Sequence, residues 1–270
     1  MLAGTAVAIH QGGIRPAAGL AALVVAIAMQ LGVNFANDYS DFIRGADTPR
    51  RAGPVRAAAS GIVSPDHVRL AAIAAFGIAG AVGLGLSLAT DWRLLLVGAA
   101  CVLAGWLYTG GPRPYGYLGL GEIFVFVFFG LVATCGTVYV ESLRITPLAV
   151  LVGCGIGFLA TAILVLNNIR DIETDVAAGK RTLATRIGRD RTLVLLVVIV
   201  CAAFAVPIVI LVLGLAGVTV MLVHFAIPVA AVPVRTAFAS SGGPALVAAL
   251  KRMAAAEIAY ALLLALGLLA

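Results

Sequence analysis

A chain of 270 residues that is 62% hydrophobic and 11% charged, with a mean hydropathy of +1.12, lies outside the range of soluble globular proteins. Its net charge of +6 is better explained by membrane topology than by a nucleic-acid partner. Cys101, Cys135, Cys154 and Cys201 sit singly in apolar runs without CxxC spacing, which excludes a thiol metal site and makes them small core residues.

Met1–Ile9 is too short to cross a bilayer and reads as a shortened first helix, with no signal-peptide pattern. A turn over Gln11–Pro16 follows. Eight apolar runs come next, each close to the ~20 residues that span hydrocarbon. They are Ala17–Ala36, Leu70–Thr90, Leu94–Thr109, Leu118–Val140, Ile145–Leu166, Thr192–Leu213, Ala216–Val234 and Met253–Ala270. Ser64-Pro65 marks the start of the second of these as an N-cap followed by proline at the first helical position. The expectation is an all-α, multi-pass transmembrane helical bundle of about nine helices, forming one intramembrane domain over residues 1–270. His224 in an apolar helix reads as a satisfied core residue.

If the helices alternate, the loops at 37–69, 110–117, 167–191 and 235–252 share one side. They hold fifteen of the eighteen basic residues; only Arg15, Arg93 and Arg144 fall opposite. The positive-inside rule makes that side cytoplasmic, and the expected location is the cell's inner, plasma membrane.

Acidic residues are concentrated rather than scattered. Asn34-Phe-Ala-Asn-Asp-Tyr-Ser-Asp-Phe-Ile-Arg-Gly-Ala-Asp47 and Asn167-Asn-Ile-Arg-Asp-Ile-Glu-Thr-Asp175 hold six of the twelve, and each ends an apolar run. Asp38 and Asp41, and likewise Asp171 and Asp175, are one helical turn apart and share a face if the helix continues. A carboxylate at membrane depth costs about 2.5–3.5 kcal/mol on insertion scales, so two matched clusters point to paired metal-ion sites rather than caps. The repetition also suggests a parallel internal repeat of about four helices with a site between the halves.

Neither cluster contains His or Cys, which argues against zinc, copper or a redox metal. Mg²⁺ takes carboxylates plus substrate phosphates, and two facing clusters can hold it with a diphosphate between them. Lys180 and Arg186 beside the second cluster suit a phosphate clamp, with Arg56 as a further cation. The rest of the substrate then lies in the bilayer, which suits a polyprenyl diphosphate. The Tyr108-Thr-Gly-Gly-Pro-Arg-Pro-Tyr-Gly-Tyr117 stretch is either a rigid turn with tyrosines at the membrane interface or the mouth of a pocket. Glu122, near a helix start, is favoured there by the helix dipole and is also within the reach of a substrate role.

Taken together, Asn37-Asp38-x-x-Asp41 and Asn168-x-x-Asp171-x-x-x-Asp175 resemble the UbiA superfamily of intramembrane prenyltransferases. The Tyr108–Tyr117 stretch, Gly-Leu-Gly-Glu122 and Gly179-Lys180 resemble its 1,4-dihydroxy-2-naphthoate branch. The resemblance implies a nine-helix fold with short cytoplasmic cap helices over the site, Mg²⁺ dependence, and prenylation of the naphthoate with loss of its carboxylate. The implied metal ligands are Asp38, Asp41, Asp47, Asp171 and Asp175, with Asp38, Asp41, Asp171 and Asp175 catalytic. Asp47 departs from the family spacing, which places the third Asp at the position of Gly45. Asn34, Asn37, Arg56, Asn168, Lys180 and Arg186 are assigned to the diphosphate. Arg113, Tyr108, Tyr115 and Tyr117 are assigned to the aromatic acceptor, with Arg56 a second candidate for its carboxylate. Two other readings stay open: another aromatic acceptor such as 4-hydroxybenzoate, and a cation-coupled transporter, which predicts acids at the bilayer midplane.

Overall fold

The computed structural model describes residues 1–45, 56–240 and 242–270, and among them every regular element is helical. The elements are α1 (Leu2–His10), α2 (Pro16–Ile43), α3 (Pro65–Ala89), α4 (Arg93–Leu107), α5 (Gly121–Val125), α6 (Ala133–Ser142), α7 (Pro147–Ala177), α8 (Leu183–Val212), α9 (Ile227–Ala239) and α10 (Gly243–Leu269). A π-helical stretch, Phe126–Val132, joins α5 to α6, and a 3₁₀ stretch, Val218–Ala226, runs into α9. Seven of the resulting helices are long and apolar enough to cross a membrane. With the shorter α1 and α4, the described residues form the expected multi-pass membrane architecture of about nine helices. Helices satisfy every backbone polar group internally, which hydrocarbon demands.

The spans differ from the apolar runs mainly at their ends. Both α2 and α7 continue past the hydrophobic stretch and carry Asp38 and Asp41, and Asp171 and Asp175, within the helix. Gly188, with φ 79 and ψ 168, breaks α8 and leaves 183–187 as a short separate helical segment. Ser64 does occupy the N-cap of α3 with Pro65 behind it, but its hydroxyl makes no cap bond. It meets the His67 imidazole at 2.6 Å instead.

The chain divides into two compact units: Met1–Pro16, Glu122–Arg170 and Ile187–Ala270 form one, and Ala17–Gly121 with Asp171–Arg186 form the other. Neither is a sequential half of the chain, and Asp38, Asp41, Asp171 and Asp175 all fall in the second unit.

The first unit has the large apolar core. Leu159, Leu166, Leu196, Ile210, Leu246, Met253 and Leu264 are fully buried in it. Glycines permit close helix approach here: a Cβ on Gly130 would run into the Gly157 Cα and come within 2.7 Å of the Gly153 carbonyl. This is the small-residue contact that membrane helices use to bring backbones together. Some polar groups inside are paired: Tyr260 donates to the Ala203 carbonyl at 2.9 Å and Thr5 to Glu141 at 3.0 Å. His224 sets its two ring nitrogens 3.1 Å from the carbonyls of Met221 and Phe204, so the nitrogen that carries the proton has an acceptor in either tautomer. Cys201 departs from expectation: it is exposed on an apolar helix rather than in the core.

In the second unit Gly32 and Gly105 let Phe76 and Val33 approach the neighbouring backbone; a Cβ on Gly32 would lie 2.8 Å from the Phe76 ring. Phe76 in turn meets Trp106 edge-on, with centroids 6.5 Å apart.

Candidate active site

Three glycine-terminated connections in the second unit build the site. The first ends α2: Gly45 takes φ 66, a left-handed turn that Gly adopts without steric cost. Up to that point α2 stays helical, so Asp38 and Asp41 lie one turn apart, 6% and 4% exposed. The second links α4 to α5. There the Gly116 N–H donates to the Tyr108 carbonyl at 3.0 Å, and a Cβ at Gly116 would come 2.7 Å from that oxygen. The helical turn Tyr115–Leu118 follows and closes at Gly119, φ 70. The third follows α7, where Gly179 takes φ 69 and the Lys180 N–H donates back to the Asp175 carbonyl at 2.8 Å. The Arg181 N–H then donates to the Tyr117 carbonyl at 3.0 Å, tying the second and third connections together.

Asp41 is the meeting point. Its Oδ1 accepts from the Tyr117 hydroxyl at 2.9 Å and from Lys180 Nζ at 3.1 Å. Its Oδ2 lies 3.7 Å from Arg56 Nη2. Lys180 Nζ also sits 4.7 Å from the Tyr117 ring centroid, and Arg44 lies 5.6 Å from it. Burial raises the Tyr117 hydroxyl's pKa above the ordinary phenol value, helped by the charge and hydrogen bond of Asp41 and the charge of Asp175, and opposed by Arg44. The two acidic clusters therefore act on one tyrosine. Asp171 and Asp175 are themselves buried.

The remaining assignments separate. Asn37 Oδ1 accepts from Thr109 at 2.8 Å, which fixes α2 against the end of α4. Asn34 is exposed. Tyr115 donates to the Ala104 carbonyl at 2.8 Å and packs edge-on against Tyr108, centroids 5.4 Å apart, so its hydroxyl anchors the turn. Arg113 is exposed. Arg186 is exposed as well, and its Nε donates to the Arg181 carbonyl at 3.1 Å. Asp47 lies outside the described residues. In the first unit, Asn168 donates to Glu122 Oε1 at 2.9 Å, both buried, while Glu122 Oε2 is buried with no hydrogen-bond partner.

Thr109 and Arg44 carry roles that sequence reasoning missed. Thr109 stands at the end of an apolar run with nothing to mark it, and Arg44 is one of many basic residues on its side.

Among the described residues no three His, Cys, Asp or Glu side chains gather closely enough to hold a metal ion by themselves. A hard cation that binds substrate phosphates needs only one or two carboxylates. Asp38 fits that demand: its Oδ2 accepts from the Ala57 N–H at 3.0 Å, while its buried Oδ1 has no hydrogen-bond partner. Such an oxygen is costly to bury unpaired and is ready to accept a cation.

Fold and site together define a multi-pass helical membrane protein whose charged chemistry lies at the ends of its helices. Residues 1–254 match the UbiA prenyltransferase family, and the chain belongs to that family. It is 49% identical over 173 residues to a 1,4-dihydroxy-2-naphthoate octaprenyltransferase of Mycobacterium tuberculosis, a match covering 64% of this chain and 59% of that protein. The chain thus spans less than two thirds of that relative's length. The Bacillus subtilis protein of the same description is 30% identical over 250 residues, covering 93% of this chain and 80% of its own. Among solved structures, a UbiA homolog from Archaeoglobus fulgidus bound to DMAPP and Mg²⁺ superposes with a TM-score of 0.61 at 16% identity. That match covers 97% of this chain and 94% of the other and establishes the shared fold.

Proposed function

We propose that this chain transfers a polyprenyl group from polyprenyl diphosphate to 1,4-dihydroxy-2-naphthoate, with loss of carbon dioxide, to give demethylmenaquinol, the hydroquinone form of demethylmenaquinone. The observation that carries the reading is the convergence of Tyr117, Lys180 and Arg56 on Asp41, in the unit that also holds Asp38, Asp171 and Asp175. The names of the relatives support the choice of acceptor.

Asp38, Asp41, Asp171 and Asp175 are the ligands we assign to Mg²⁺, with Asp47 a further one. When bound, Mg²⁺ supplies charge neutralisation for the departing diphosphate. Lys180 and Arg56, both at Asp41, take up negative charge on the phosphate oxygens, assisted by Arg186, Asn34 and Asn37. The allylic C–O bond breaks with its electron pair leaving on the diphosphate. The ring carbon that bears the carboxylate attacks the allylic carbon, and carbon dioxide departs, returning its bonding pair to the ring. Arg113, in a turn held by Tyr108 and Tyr115, is the cation we assign to the acceptor's carboxylate, since a planar guanidinium meets it bidentately. We place the prenyl tail in the bilayer, the protein in the plasma membrane and the site at its cytoplasmic face, following the distribution of basic residues.

The test is purified protein with Mg²⁺, a polyprenyl diphosphate and a panel of aromatic acids, with products read by mass. Prenylated, decarboxylated naphthoate as the main product supports the reading. Preferential prenylation of 4-hydroxybenzoate moves the protein to another acceptor, and no prenylated product from any acid ends the proposal.

A further inference from the structure

The sequence suggests that Tyr117 walls the aromatic acceptor; its contacts among the described residues run to α2 and to the segment after α7. Its carbonyl accepts the Arg181 N–H, its ring carries the Lys180 ammonium, and its hydroxyl holds Asp41 Oδ1. Three separate parts of one residue thus tie the segment after α7 to the acidic end of α2. Lys180 has little freedom of its own there. Its N–H is bound to the Asp175 carbonyl, and its own carbonyl accepts from Thr185 at 3.3 Å. The ammonium rests on the oxygen that also receives the tyrosine.

We infer that Tyr117 is a positioning residue for the diphosphate end of the site, seating Lys180 on Asp41 as a stand-in for the divalent cation until a diphosphate draws it away. The inference rests on the reading that this site takes a divalent cation and a prenyl diphosphate. A buried carboxylate left without a counter-charge is strongly disfavoured, and Asp41 is 4% exposed. Lys180 at 3.1 Å and Arg56 at 3.7 Å supply that charge in the protein alone. An ammonium on Oδ1 competes for the lone pairs a hard cation would use. A diphosphate carries more charge than one carboxylate and offers the ammonium a better partner. Its arrival therefore takes the competitor away from Asp41, so donor and cation each favour the other's binding. By linkage the effect is reciprocal. Lys180 suits the exchange because a flexible stem carries a point charge with rotatable donors, unlike the rigid fork of Arg. The tyrosine ring gives that stem a second resting place for its cation.

Two measurements test it. The first is binding of Mn²⁺ alone, without diphosphate, to the intact protein, read by the electron paramagnetic resonance of free and bound ion. Lys180→Met removes the competitor and should tighten Mn²⁺ about tenfold, the equivalent of one charge-assisted contact, whereas Lys180→Arg should stay near wild type. The second is the separation of the Michaelis constants. Tyr117→Phe keeps the ring and the backbone bonds and loses only the hydroxyl, so it should raise the donor KM roughly 5- to 10-fold and leave the acceptor KM within about twofold. Unchanged Mn²⁺ affinity in Lys180→Met, with prenyl transfer intact in the wild type, overturns the stand-in role and leaves the proposed function standing. An acceptor KM that rises as much as the donor KM in Tyr117→Phe returns Tyr117 to the acceptor wall. A wild type that neither binds Mn²⁺ nor consumes a prenyl donor removes the proposed function and this inference together. If Lys180→Met does not fold, Lys180→Gln carries the same expectation, and the near-isosteric Tyr117→Phe decides the positioning role alone.

Discussion

The two compact units are packed from different materials. In the first, leucine, isoleucine, valine, methionine, Phe204 and Tyr260 fill the interior alongside alanines. In the second, every buried apolar residue among those described is an alanine except Val68, and the buried company includes Asp38, Asp41, Asp171 and Asp175. Large aliphatic side chains hold helix axes apart and fill the space between them. Alanine and glycine let the backbones approach, so that a short aspartate can be reached by Tyr117, Lys180 and Arg56. The difference teaches how one apolar chain separates two tasks. One unit gains stability from packing, and the other gives up packing volume to bring charges within hydrogen-bond distance.

The comparison breaks most sharply at the acidic residues. Asp38→Ala, Asp41→Ala, Asp171→Ala and Asp175→Ala should each lower turnover by at least ~100-fold, as losing one strong electrostatic stabiliser does. Circular dichroism should find each variant folded. Full activity in any two of them would show that the alanine-lined unit is not the catalytic one. Chelation of divalent ions should abolish turnover to a comparable degree, and Mg²⁺ should restore it.

The opposite unit should respond in stability. Gly130→Val drives two methyl groups into the Gly157 backbone, and overpacking of this kind costs about 1–3 kcal/mol or more. A lower unfolding temperature in detergent is expected, with turnover per folded molecule close to wild type. A variant that keeps its stability but loses turnover would show that the packing unit also carries chemistry.

A smaller effect is expected at Arg113. Arg113→Lys keeps the charge but loses the planar fork, and should raise the acceptor KM by roughly 10-fold with less change for the donor. Normal acceptor binding would move the acceptor's cation elsewhere, with Arg56 the next candidate.

The smallest effect belongs to Tyr115. Removing its bond to the Ala104 carbonyl by Tyr115→Phe should cost about 1 kcal/mol of stability and leave both Michaelis constants unchanged. Burial raises the pKa of this hydroxyl above the ordinary phenol value. The raised value means its contribution is whole below the unfolded tyrosine pKa of about 10 and is lost as pH climbs through the folded value. Absorbance of phenolate at 295 nm should therefore appear later in the native protein than after unfolding, and Tyr115→Phe should reduce that late component. An acceptor KM that climbs in this variant would instead make Tyr115 part of the acceptor pocket.

Much of this was legible in the residues themselves. Runs of about twenty apolar residues determined the helices, because hydrocarbon offers no other partner for backbone N–H and C=O groups along a single span. The spacings of Asp38 and Asp41, and of Asp171 and Asp175, determined that each pair shares a helical face once the helix continues. The motifs around them were specific enough to indicate the family. Other features only the tertiary structure decided. Asn37 is held by Thr109, Tyr115 by the Ala104 carbonyl, and Asn168 by Glu122. Lys180 rests on a carboxylate 139 residues away in the chain. Helical periodicity reports which face a residue occupies, but a partner across such a separation is set by where the chain turns. Here those turns are made at Gly45, Gly119 and Gly179, and their left-handed φ angles bring the three connections onto Asp41.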